Sequence, residues 1–238
     1  MLPTIMENTQ ILTSLEKQRN DLLDHLRSTS VSKHYQKQYD DFKTGRIVLV
    51  HGNLATMLKE LDELSKQTIY DEIYFKKLAQ FDSFDNEAFI ENFKQQFKGM
   101  FNKITDKGKQ DEIQAIFIEY DFYYHFNSFA ACYGIQEYPL VLEPRYTANE
   151  LDYTKQVLVI EKGINFKQKW LSCEEFDDLD YCEIKSNLEK LFQLHSRVLL
   201  HKSLRRLEKD GALTIFKNRP FSFFINEHDC EEMSLYIY

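Results

Sequence analysis

Residues 113–134, reading IQAIFIEYDFYYHFNSFAACYG, hold the pattern that most restricts the fold. Ile116, Ile118, Tyr120, Phe122 and Tyr124 alternate with Phe117, Glu119, Asp121, Tyr123 and His125. A period of two carried by β-branched and aromatic side chains sends the two sets to opposite faces of a strand. Such a strand needs neighbours and a cover for its apolar face, so an all-helical bundle is excluded. Asn127 and Ser128 predict a turn, with 129–135 returning as an antiparallel partner.

The chain on either side has a different character. In 9–27, Ile11, Leu12, Leu15, Leu22, Leu23 and Leu26 recur at helical spacing. A weaker helix is expected over 33–43, ending at Gly45. The run RIVLVH, 46–51, lies between Gly45 and Gly52 and fits either a short strand, which the flanking glycines favour slightly, or the entry to the next helix. Asn53 is a good N-cap for a helix using Leu54, Met57, Leu58, Leu61 and Leu64. Another helix carries Tyr70, Ile73, Tyr74, Leu78 and Phe81. Asp85 caps a further one, with Phe89, Phe93, Phe97, Met100, Phe101 and Ile104 as an aromatic stripe expected in the core.

Beyond the central strand, 157–161 reads as a strand and 163–165 as a turn, with 166–171 as its partner. A long helix is expected over 183–210, stopped by Gly211. The segments 212–216 and 221–225 predict a hairpin, and 235–238 a last strand. The expected fold class is α+β: a helical region over 1–110, then a mainly antiparallel sheet with one long helix over 111–238.

Composition narrows the function. Nineteen Phe and fourteen Tyr supply a large core, while seven Gly and four Pro argue against a glycine-rich cofactor fold. No Walker loop, GxGxxG, HExxH, GxSxG or EF-hand loop is present. No cofactor is expected. Residues 1–110 balance 16 Lys/Arg against 16 Asp/Glu; residues 111–238 set 14 against 22 and so carry the whole net charge of −8. An acidic half disfavours nucleic acid, whose phosphates need clustered Lys/Arg, and suits a basic partner. Cys132, Cys173, Cys182 and Cys230 lack zinc spacing and read as reduced thiols. No run approaches the ~20 apolar residues of a membrane span. With no basic-then-apolar leader pattern in MLPTIMENTQ, a cytoplasmic location is expected.

Three clusters could carry function. Glu119, Asp121 and His125 share one strand face, where a metal or an acid/base pair could form; a solvated sheet face explains the same row. Glu227, His228, Asp229, Glu231 and Glu232 crowd a turn between two expected strands. Glu174, Glu175, Asp177, Asp178, Asp180 and Glu183 form an acidic run with no basic residue, suited to steering a basic partner or to capping the long helix.

Two segments, AIFIEYDFYY at 115–124 and PFSFFINEHDCEEMSLYIY at 220–238, resemble small cytosolic immunity proteins of bacterial polymorphic-toxin systems. Together they span about an eighth of the chain. The resemblance implies a non-enzymatic protein that binds and blocks a cognate toxin, often through an acidic surface. On that reading the contacts are Glu174, Glu175, Asp177, Asp178, Asp180, Glu227, Asp229 and Glu231. The alternatives are a metal-dependent hydrolase or nuclease using Glu119 and Asp121, with His125 as a further metal ligand, and a structural or accessory subunit.

Overall fold

The central strand sits inside a six-stranded mixed sheet with order β3-β6-β5-β1-β2-β4. Its strands are β1 (Ala115–Tyr120), β2 (Phe129–Ile135), β3 (Arg145–Tyr146), β4 (Gln156–Asn165), β5 (Ser222–Glu227) and β6 (Glu232–Ile237). The helices are α1 (Asn8–Arg27), α2 (Val31–Lys43), α3 (Leu54–Ser65), α4 (Ile69–Asp82), α5 (Asn86–Asp106) and α6 (Glu183–Lys209). The computed structural model describes residues 7–120, 129–136, 145–146, 155–166, 174–176, 183–227 and 232–238. The protein is α+β, as the sequence predicts. Its contacts divide it into two compact units: 1–18 with 85–169 and 193–238, and 19–84 with 170–192.

In the first unit β1 pairs antiparallel with β2 and parallel with β5. The other ladders are antiparallel. A strand inside a sheet covered on both sides must be apolar on both faces. Ala115, Ile116, Phe117 and Ile118 are accordingly all buried, and only Glu119 and Tyr120 are partly exposed. On one face Phe117 clusters with Ala115, Ile135 and Phe224. On the other, Phe223 of β5 meets Phe97 and Phe101 of α5, with ring centroids 6.2 Å apart in both pairs. The aromatic stripe of α5 is core, and Asp85 caps the helix by accepting from the Ala88 N–H.

Two side-chain amides finish the sheet where main-chain partners run out. Asn8, at the start of α1, donates to the Ile237 carbonyl (2.6 Å) and accepts from the Ile237 N–H (2.8 Å). Gln96 of α5 makes the same double contact with Asn165 at the end of β4 (2.5 and 2.9 Å).

In the second unit Asn53 caps α3 as expected, accepting from the N–H groups of Ala55 and Thr56. The buried Tyr74 hydroxyl of α4 donates to the Leu26 carbonyl of α1 (2.5 Å). Ser32 is held by Asp71 through its N–H (2.9 Å) and its hydroxyl (2.6 Å).

Three local expectations are corrected. Residues 46–51 form no strand but an exposed connection between α2 and α3. Residues 212–215 are a 3-10 turn (Ala212–Ile215), since Gly211 in the left-handed region (φ 74°) turns the chain sharply after α6. Residues 163–165 are not a turn, because β4 runs straight through them. Gly163 is required there by contact and not by conformation. A Cβ added to it would lie 2.2 Å from the Cys132 Sγ and 2.9 Å from its Cβ, beside an irregularity in the β2–β4 ladder. The turn expected at 127–128 and the strand expected at 166–171 fall largely outside the described residues.

Gly163→Ala is therefore expected to destabilise the fold by about 1–3 kcal/mol through overpacking. Cys132→Ala should recover part of that loss in the double variant, a coupling readable from urea unfolding midpoints.

Candidate functional site

The carboxyl end of β1 is where the sheet changes from apolar to polar, and the strand's alternation splits its last two residues between faces. Glu119 follows Phe117. Its Oε2 accepts from the Tyr133 hydroxyl on β2 (3.0 Å), and the Tyr133 ring stacks on Phe117 at 6.0 Å. Burial first, and then the carboxylate to which it donates, push the Tyr133 phenol up to about 12. Tyr133 thus stays protonated near neutral pH as a fixed donor.

Tyr120 points to the helical side, where its hydroxyl accepts from Arg197 Nη2 of α6 (2.8 Å) and its ring lies 5.6 Å from Phe166. Parallel pairing sets Glu119 against Asn226 and Tyr120 against Glu227, so the C-terminal ends of both strands open on the same edge. Two residues before Arg197 on α6, His195 Nε2 donates to Asn86 Oδ1 (2.7 Å) at the start of α5.

The expected site residues are distributed as follows. Glu119 is in place, but Asp121 and His125 lie outside the described residues. Among the described residues no group of three or more His, Cys, Asp or Glu is arranged to hold a metal ion. Glu174 begins a 3-10 turn, Glu174–Phe176. Glu175 Oε1 pairs with Lys77 Nζ of α4 at 2.8 Å. Lys77 is only 8% exposed, so this contact supplies a counter-charge to a buried ammonium. Burial raises the Glu175 pKa, but the hydrogen bond and charge of Lys77 outweigh it and the carboxyl ends below its ordinary value. Asp177, Asp178, Asp180, Asp229 and Glu231 lie outside the described residues, while Glu227 closes β5.

Sequence reasoning missed Tyr133 and Arg197 as partners of the strand end. Arg197 was absorbed into the periodicity of a long helix, and no local pattern ties it to Tyr120, 77 residues away.

Among the described residues no helix is long and apolar enough to cross a membrane. No family model, no curated protein and no solved structure matches the chain.

His201 is buried with its Nδ1 donating to the Leu235 carbonyl (2.7 Å) and its ring edge-on to Tyr236 (5.0 Å). Burial lowers its pKa against the raising effect of that hydrogen bond; Arg205 and Lys202 lower it further, while Glu16 raises it. The folded state therefore prefers the neutral ring, and the unfolded chain takes up a proton near pH ~6.5. Stability is complete above that pH and falls as pH drops below it. Between pH 7.5 and 5.5 the wild type should lose more thermal stability than His201→Asn, whose amide can still donate to Leu235.

Tyr133→Phe should cost about 1–3 kcal/mol, because Glu119 loses a hydrogen-bond donor in a half-buried place. Glu119→Gln in that background should restore part of the unfolding midpoint.

Proposed function

We propose that the protein is a protein-binding module of the immunity type, which binds and blocks a basic toxin domain through acidic residues of its C-terminal half. The observation that carries this reading is the charge distribution: 111–238 hold the entire net charge of −8, and 174–183 contain six carboxylates and no cation. Carboxylates grouped in this way accelerate encounter with a basic surface and set its register. The immunity-like segments at 115–124 and 220–238 point in the same direction.

On this reading one carboxylate of the acidic run is set apart by an internal ion pair. Glu175 is engaged with Lys77 and has a structural role, so the contact surface is assigned to Glu174, Asp177, Asp178 and Asp180, with Glu227, Asp229 and Glu231 as a second acidic group. Glu119 is engaged by Tyr133 and is not assigned to the surface.

A triple variant, Glu174→Gln with Asp177→Asn and Asp178→Asn, should leave thermal stability within about 0.5 kcal/mol of wild type. It should weaken co-purification with a basic protein partner and flatten the salt dependence of association. Undiminished binding by the triple variant would remove the acidic run from the mechanism. Glu175→Gln is expected to behave differently, lowering stability by about 1 kcal/mol, since Lys77 keeps a buried charge while the half-exposed position of Glu175 limits the loss.

A further inference from the structure

On its outer side β6 is paired only by the two residues of β3, which reach Met233 and Glu232. From Leu235 onward that edge is met by side chains of two helices. The N–H and C=O of Tyr238 exchange hydrogen bonds with Phe221 (2.7 Å each), at the end of the β5 ladder. Strand alternation therefore turns the N–H and C=O of Ile237 outward, where the Asn8 amide takes both. Leu235 has no register partner in β5, because the ladder shifts between Phe223 and Phe224, and its carbonyl accepts from His201.

The first three turns of α1, residues 8–18, are tied to this edge by a small set of contacts. Ile11 and Leu15 cluster with Val198 of α6, with Leu12 and Ile237 packed against them. That cluster is separate from the one around Phe117. Glu16 pairs with Lys202 Nζ (2.8 Å), both side chains being partly exposed. Segments held by few buried contacts are the first to open.

His201 sits among these ties, three residues on from Val198 and next to Lys202, and is 1% exposed. Among the described residues, the charged groups around it are Glu16 of α1 and Lys202 and Arg205 of α6. Glu208 of α6 stands one group further off, accepting from the hydroxyl of Tyr236, whose ring meets His201 edge-on. Nδ1 already carries a proton, so acid adds the next at Nε2, and a charged ring in a buried place needs water. Burial opposes that charge more than Glu16 favours it. Parting α1 from the edge removes both effects, so the parted form binds the proton more tightly.

We propose that the first three turns of α1 are a pH-sensitive strap, which parts from the β6 edge when His201 takes up a proton and leaves the sheet paired. The parted form presents the Ile237 N–H and C=O as an open strand edge, which the closed form does not offer. This device is independent of the acidic run.

The test is amide hydrogen exchange of the full chain, read by NMR at pH 7.5 and 5.5 and corrected for the intrinsic rate. Residues 12–18 and Ile237 should share one rate, at least about tenfold faster than the amides of β1. That rate should rise about tenfold from pH 7.5 to 5.5, the factor for one proton bound with an ordinary histidine pKa of ~6.5 in the parted form. His201→Asn should flatten this pH dependence. Asn8→Ala should speed exchange about five- to tenfold at both pH values and keep the dependence, and Glu16→Gln should keep it as well. Strap amides that exchange no faster than those of β1 would overturn the proposal, as would a wild-type rate that does not change with pH. So would a pH dependence that survives His201→Asn, or one that disappears in Glu16→Gln.

Discussion

The sheet depends on the parallel pairing of β1 with β5. Antiparallel neighbours can be joined by a short turn, but parallel neighbours need a connection that crosses over the sheet. Here that connection spans about a hundred residues and includes β2, β3, β4 and α6. The pairing also places β1 and β5 in the interior of the six-strand order, where an apolar residue is demanded on each face. The burial of both Ile116 and Phe117 follows from this, as does the abrupt polarity of Glu119 and Tyr120 where the cover ends.

Much of this architecture could be read from the sequence because it is local. Helical spacing located α1, α3, α5 and α6 within a residue or two, and Asn53 and Asp85 cap the helices they were expected to cap. Strand alternation located β1 and β2. The misreadings were of two kinds. Residues 46–51 have strand composition but pair with no strand among the described residues, and composition carries no information about pairing. Gly163 looked like turn chemistry, but its reason lies across the ladder in the bulk of Cys132, which no window along the chain contains. The contacts at the end of β1 were hidden for the same reason: Tyr133 and Arg197 reach their partners through the sheet and the long helix.

The ion pairs show why a charge count alone does not define a surface. Lys94 bridges Glu91 and Asp210, Lys202 holds Glu16, and Arg206 holds Glu87. The hydrogen bond and charge of Asp210 raise the Lys94 pKa despite its burial. Two cations at the basic end of α6, Lys202 and Arg206, are thus engaged by carboxylates of their own unit, in keeping with ion-pair arguments. Acidic residues consumed in such pairs leave fewer to meet another molecule.

The close fit of Gly163 over Cys132 has a kinetic meaning. Cys132 is buried, and burial pushes its thiol up to about 12, so it has almost no thiolate and no path to reagents while β2 and β4 remain paired. Any modification at this sulfur must wait for the two strands to part. The rate at which Cys132 reacts is therefore a clock for the opening of that ladder, and it reports on one edge of the sheet separately from the melting of the helices.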